Sequence, residues 1–311
     1  MAKTADARSN SNMKDLNGKV AFITGGGSGV GFGMAKVFHD AGMKIVIADI
    51  RQDHLDRTMA YFAETGRSAH PIRLDVTDRE AFNRAADEVE QVFGKVNIVC
   101  NNAGVNFFAP MDECTYDDWD WIMSVNLGGV INGVRTFVPR IKKHGEGGHI
   151  VNTASMASFI TGPGAGVYTT SKFAVRGLSE SLRWSLAPHR IGVSVLCPAL
   201  VKSEIYESDM TRPQRFSSDI GPANQEFMSR LPEIHQFGME PEEVGEKVLR
   251  GIERNDLYIF THPDQFKEEL KELFDEVLAA LPEGEPDPKR LAFEKLRREA
   301  NARAKANMIL E

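Results

Sequence analysis

Short apolar runs alternate with stretches of helical periodicity from Lys19 to about His262. The runs predict strands over 20–24, 44–49, 71–75, 97–101, 148–154, 192–197 and 257–260. Amphipathic spacing between them predicts helices over 29–41, 53–65, 79–93, 116–143, 167–188 and 241–254. Runs such as Ile98-Val99-Cys100 and Val193-Ser194-Val195-Leu196 are apolar on both sides, as strands covered on both faces must be. Right-handed crossovers then give an α/β fold, a Rossmann-type doubly wound parallel sheet. The segment from Glu204 to Phe237, with Arg212-Pro213 and Gly221-Pro222, is too irregular for one element and reads as a lid. Beyond it, Phe266, Leu270, Leu273, Val277 and Leu281 form a helical apolar stripe, broken by Pro282 to Pro288 before a charged helix over 289–308. The organisation expected is a loose polar tail (1–15), one catalytic domain (16–262) and a C-terminal helical extension (263–311).

Composition narrows the classes. A net charge of −7 without a long Lys/Arg block argues against a nucleic-acid partner. No stretch has the eighteen or so apolar residues of a membrane span, and Met1 to Asp15 does not resemble a secretory signal, so a cytoplasmic location is expected. Cys100, Cys114 and Cys197 lack a C-x-x-C spacing and read as free thiols, and the eight His residues form no ligand-spaced cluster, so no metal site is expected.

The first strand runs into Thr24-Gly25-Gly26-Gly27-Ser28-Gly29-Val30-Gly31, and a helix follows. Strand, glycine turn and helix start form a cradle for a pyrophosphate, because the backbone can approach and the first-turn N–H groups face the anion. Asp49 ends the second strand eighteen positions after Gly31, where such folds place the acid that binds ribose hydroxyls. Its carboxylate repels a 2′-phosphate and favours NAD over NADP. Arg51 complicates this, since a guanidinium there could pair with that phosphate or simply be a solvated cation.

Other candidates sit at later strand ends: Asp75-Val76, Asn101-Asn102-Ala103-Gly104 and Ala154-Ser155. Ser155 precedes Tyr168 by thirteen residues, and Tyr168 precedes Lys172 by four, which places the latter two on one helix face. A phenol with an ordinary pKa near ~10 is a poor base at neutral pH. An ammonium ~4 Å away at an effective dielectric of about 20 favours the phenolate by roughly 4 kcal/mol before desolvation. Asn126 is a polar residue between apolar neighbours in a helical stretch, either part of this chemistry or a buried amide bracing the sheet.

These motifs together, over about residues 17 to 262, resemble the short-chain dehydrogenase/reductase family. The resemblance implies a nicotinamide cofactor and a tetrad of Asn126, Ser155, Tyr168 and Lys172, with Val201 and Ser203 meeting the carboxamide. Pro198-Ala199 departs from the family's usual Pro-Gly. Thr115-Tyr116-Asp117-Asp118-Trp119-Asp120-Trp121, Val130-Ile131-Asn132-Gly133, Gly148-His149-Ile150-Val151 and Arg212-Pro213 resemble the bacterial Cα-dehydrogenases, which oxidise the benzylic alcohol of lignin-derived β-aryl ethers. The same tetrad also serves reductases of acyl carriers, sugars and steroids, and some Rossmann relatives only sense the cofactor. Phe107, Phe108, Phe159, Ile160 and the lid are placed to wall a pocket for a small alcohol or ketone. The resemblance further implies a homodimer or homotetramer, and the C-terminal stripe is a candidate contact.

Overall fold

The computed structural model describes residues 13, 15–216, 222–262, 266–284 and 287–309, those of 222–228 and 304–309 by their backbone alone. Seven strands form one parallel sheet in the order β3-β2-β1-β4-β5-β6-β7. They are β1 (Val20–Thr24), β2 (Lys44–Asp49), β3 (Ala69–Arg73), β4 (Ile98–Asn101), β5 (Gly148–Thr153), β6 (Ile191–Cys197) and β7 (Tyr258–Phe260). The order reverses between β1 and β4, which creates the crevice where a doubly wound sheet takes its ligand.

Side chains alternate across the sheet. Ala21 and Ile23 of β1 join the cluster on one face; Val20 and Phe22 join the cluster on the other. The first face is covered by α1 (Gly29–Asp40), α2 (Gln52–Glu64) and α8 (Pro241–Arg254) through Phe38, Leu55, Phe62, Val244 and Val248. The second is covered by α3 (Arg79–Phe93), α5 (Gly129–His144) and α6 (Gly166–Leu186) through Phe82, Val89, Phe137, Ile141 and Leu186. A Cβ on Gly33 would lie 2.1 Å from the Pro241 carbonyl oxygen, so the missing side chain lets α1 and α8 touch backbone to backbone. The buried Cys100 and Cys197 thiols pack in these layers, and burial raises the pKa of both, Cys197 to about 12.

The structure corrects the expected elements in two places. The third strand lies two residues earlier than 71–75, in parallel register with Ile45↔Ala69 and Asp49↔Arg73. The single helix expected over 116–143 is α4 (Tyr116–Met123), a π-helical turn (Ser124–Gly128) and then α5. Thr115 starts α4 with a capping box shared with Asp118. The remaining helices are α7 (Pro222–His235), α9 (Lys267–Ala279) and α10 (Pro288–Ile309). Of the C-terminal stripe, Phe266 and Leu270 pack against a third apolar cluster that includes Phe159 and Val195. Val277 and Leu281 stay exposed, beside Phe274 and Leu278. The tail expected over 1–15 lies mostly outside the described residues, but Met13 is buried in the first cluster. Among the described residues, no helix is long and apolar enough to cross a membrane.

Candidate active site

A cavity of about 440 Å³ collects the strand-end motifs. The β1 turn contributes Gly25, Ser28, Gly29 and Val30; β2 contributes Asp49 and then Arg51; Asp75 and Val76 follow β3. Asn102, Ala103 and Gly104 line it after β4, Ser155 after β5, Val201 and Ser203 after β6, and α6 adds Tyr168 and Lys172. Two predicted residues stand outside the lining, Gly31 and Asn126.

Gly31 acts one layer back. A Cβ there would fall 2.1 Å from the Gly25 carbonyl oxygen, so α1 can press against the turn only as glycine. Gly25 and Gly29 hold left-handed backbone, φ +61° and +47°. The Ser28 side chain does not cap α1, leaving its first-turn N–H donors to an anion. Thr24 ties the neighbouring turn in place, its Oγ1 accepting from the N–H groups of Asn102 (2.9 Å) and Ala103 (3.0 Å). Asn102 Nδ2 donates in return to the Thr24 carbonyl at 3.1 Å. This glycine cradle and its free donors fit a dinucleotide pyrophosphate. Thr24 was not among the predicted site residues, although its place directly before Gly25 was the signal.

Asp49 is buried, with Oδ2 accepting from the Gly27 N–H and Oδ1 from the Arg51 N–H, both at 3.0 Å. The Arg51 guanidinium is held by Asp53, with Nη2–Oδ2 at 2.5 Å and Nε–Oδ1 at 3.1 Å, and by Glu207. Next to it, Glu204 accepts from Arg57 at 2.7 Å and lies 3.2 Å from His54 Nε2. His54, Glu204 and Glu207 bring three potential ligand atoms within 4.8 Å of one another, but Arg57 and Arg51 already hold the two carboxylates. The group is therefore read as an ion-pair bridge between α2 and the lid.

Tyr168, Ser155 and Lys172 meet at the cavity wall. Loss of solvation raises the Tyr168 pKa, and a hydrogen bond with Ser155 opposes that rise. Lys172 is buried; its Nζ donates to the Thr153 carbonyl at 3.0 Å and lies 5.5 Å from the Tyr168 ring centroid. Burial pushes its own pKa down to about 8. Burial is the largest influence on both groups. Asn126 sits in the π-helical turn, not in a regular helix. Its Oδ1 accepts from the Val105 N–H (2.8 Å), and its Nδ2 donates to the Val105 carbonyl (2.9 Å) and Ser171 Oγ (3.0 Å). The side-chain amide thus braces the loop after β4 against α6. A Cβ on Gly104 would lie 3.3 Å from Asn126 Oδ1 and 3.4 Å from Lys172 Nζ, so both groups flank the same glycine.

Of the four residues expected to wall a substrate pocket, Phe108 alone lines the cavity. Phe107 packs with Trp121 and Val167, while Phe159 and Ile160 belong to the cluster beneath β7. Trp121 and Phe216 face the cavity instead, with Ile205, Glu207, Thr211 and Arg215 from the lid. His235 of α7 holds the loop after β6, its Nδ1 lying 2.9 Å from the Val201 carbonyl oxygen.

Residues 19–213 match the family model described as short chain dehydrogenase. The chain is 46% identical over 277 residues to the C alpha-dehydrogenase of Sphingobium sp. (strain NBRC 103272 / SYK-6), covering 89% of this chain and 90% of that one. Among solved structures, apo LigO from Sphingobium sp. strain SYK-6 is 43% identical with a TM-score of 0.75, covering 92% of this chain and 97% of that one. A short-chain dehydrogenase/reductase from Burkholderia phymatum in complex with NAD is 32% identical with a TM-score of 0.82, covering 88% and 99%. Matched along most of its length and carrying the cofactor cradle with its acid, the chain belongs to the short-chain dehydrogenase family, as a NAD-dependent oxidoreductase of alcohol and ketone substrates.

Proposed function

We propose that the protein oxidises the benzylic secondary alcohol of an aryl substrate to a ketone, as a Cα-dehydrogenase of lignin-derived β-aryl ethers. The observation that carries this reading is one cavity in which Ser155, Tyr168 and Lys172 share their space with an aromatic wall of Phe108, Trp121 and Phe216. Similarity to a C alpha-dehydrogenase supports the same substrate class. Bound NAD supplies the hydride acceptor.

In this reading Tyr168 takes the hydroxyl proton of the alcohol. Ser155 donates to the same oxygen and steadies its developing charge, while keeping the phenol oriented. Lys172, as an ammonium, would favour the phenolate electrostatically. Asn126 holds the loop after β4 and the start of α6 in register with Lys172, and its position beside that ammonium suits a path by which the proton returns to solvent. Val201 and Ser203, which line the cavity, would hold the carboxamide of the cofactor. Apolar area at Phe274, Val277, Leu278 and Leu281 supports a homo-oligomer.

The test is NADH formation with racemic aryl-glycerol ethers against simple aliphatic and steroid alcohols. Turnover confined to the benzylic alcohols is expected. Tyr168→Phe should lower kcat by about 10²- to 10⁴-fold while NADH binding persists. Equal turnover of all alcohols, or substantial activity in Tyr168→Phe, defeats the proposal.

A further inference from the structure

Arg51 lies two residues beyond the acid that selects ribose hydroxyls, the position from which a guanidinium could take a 2′-phosphate. All three of its side-chain nitrogens are engaged elsewhere. Nε and Nη2 meet the two oxygens of Asp53 in a forked pair, and Nη1 donates to Glu207. Met210 Sδ lies 3.9 Å from the same Nη1. Asp53 sits in the first turn of α2, whereas Glu207 comes from the lid, 156 residues away in sequence. The side chain is only 17% exposed despite its loop position.

We propose that Glu207, with Asp53, is a determinant of cofactor choice: the lid carboxylate occupies the Arg51 guanidinium and denies a cation to a 2′-phosphate. Discrimination then has two parts. Asp49 meets the ribose hydroxyls, and Glu207 cancels the residue that would otherwise reverse the preference. A forked guanidinium–carboxylate pair is geometrically the same contact that a phosphate would need, so the two compete for the same donors. The neighbouring Glu204–Arg57 pair ties the same segment to α2 and keeps Glu207 in range.

The experiment is titration of NADH and NADPH binding by fluorescence, in wild type, Glu207→Gln, Asp53→Asn, the double variant, and the double variant with Arg51→Ala. Wild type should favour NADH. Glu207→Gln should tighten NADPH about threefold and the double variant roughly tenfold, with NADH affinity within about twofold of wild type. Adding Arg51→Ala should remove the gain. Unchanged NADPH affinity in a double variant that still binds NADH overturns the proposal, as does a gain that survives Arg51→Ala. A wild-type preference for NADPH would overturn the NAD assignment itself, a failure told apart because it needs no variant.

Discussion

Arg212 Nη2 donates to Asp118 Oδ1 across 2.6 Å, joining the lid to α4 by an ion pair whose carboxylate side chain is 2% exposed. The other Asp118 oxygen accepts from Thr115 N and Oγ1, both at 2.8 Å, so one carboxylate caps a helix and anchors the lid. Arg212 also lies 4.6 Å from the Trp121 ring centroid and donates from Nε to the Phe216 carbonyl at 2.6 Å. Both aromatics face the cavity. Removing one member of a buried ion pair costs about 3–5 kcal/mol. Arg212→Ala is therefore expected to lower the unfolding free energy measured by urea titration by that amount and to raise KM for an aryl alcohol more than it lowers kcat. Asp118→Asn with Arg212→Met should recover part of the stability but not the KM. Equal stability of wild type and Arg212→Ala would show that the pair is incidental.

The second prediction concerns His149, fully buried in β5. Ser194 Oγ donates to the Asp256 carbonyl at 2.5 Å, so it accepts from His149 Nε2, 2.8 Å away. Among the described residues Nδ1 has no hydrogen-bond partner, and it faces Gly192, where a Cβ would lie 2.3 Å from it. Burial, with a smaller contribution from Arg183, pushes the His149 pKa down to about 3. Between that value and the ordinary ~6.5 the unfolded chain binds the proton and the folded chain does not. Stability is therefore lost as pH falls from about 6.5 toward 3, by up to about 1.4 kcal/mol per pH unit from this residue. Urea unfolding at stepped pH should show this slope in wild type and a shallower one in His149→Gln. Parallel slopes would refute the assignment.

The sheet was readable because each central strand is apolar on both faces and ends at a chemical motif. Phe22 and Ile23 bury on opposite sides without a polar position to mislead. β3 was misplaced because, at one edge of the sheet, it contains Pro71 and buries only Ile72, so apolarity marks it weakly. The π-helical turn was invisible for a different reason: one extra residue per turn changes direction without changing composition. That turn carries Asn126 to Val105 and Ser171, which explains why an amide stands among apolar neighbours.

At the site, residues within a few positions of a strand end were legible, since local spacing fixes where they emerge. Glu207, His235 and Arg212 were not. Their roles depend on an irregular segment folding back onto α2, β6 and α4, and no periodicity encodes that return. Phe107 and Phe108 show the same limit at its smallest scale: adjacent aromatics, one buried against Trp121 and the other facing the cavity.

The last prediction separates the two roles of Lys172. In the proposed reaction, oxidation needs Tyr168 without its proton, and burial raises that pKa, so kcat for the alcohol at saturating NAD should climb as pH rises through neutrality. Ketone reduction needs the protonated phenol and should fall over the same range. An ammonium whose pKa is pushed down to about 8 is charged below that pH and there favours the phenolate. Lys172→Met should therefore move the rising limb of oxidation to higher pH, by about one unit for each 1.4 kcal/mol of lost electrostatic support. Stability responds with its own sign. The unfolded chain keeps the lysine proton up to about 10.4 while the folded chain releases it near 8, so wild type gains stability as pH rises through that window. Lys172→Met cannot show that gain. Rate profiles that superimpose while the stability curves diverge would leave Lys172 a buried structural cation and remove it from the proton chemistry.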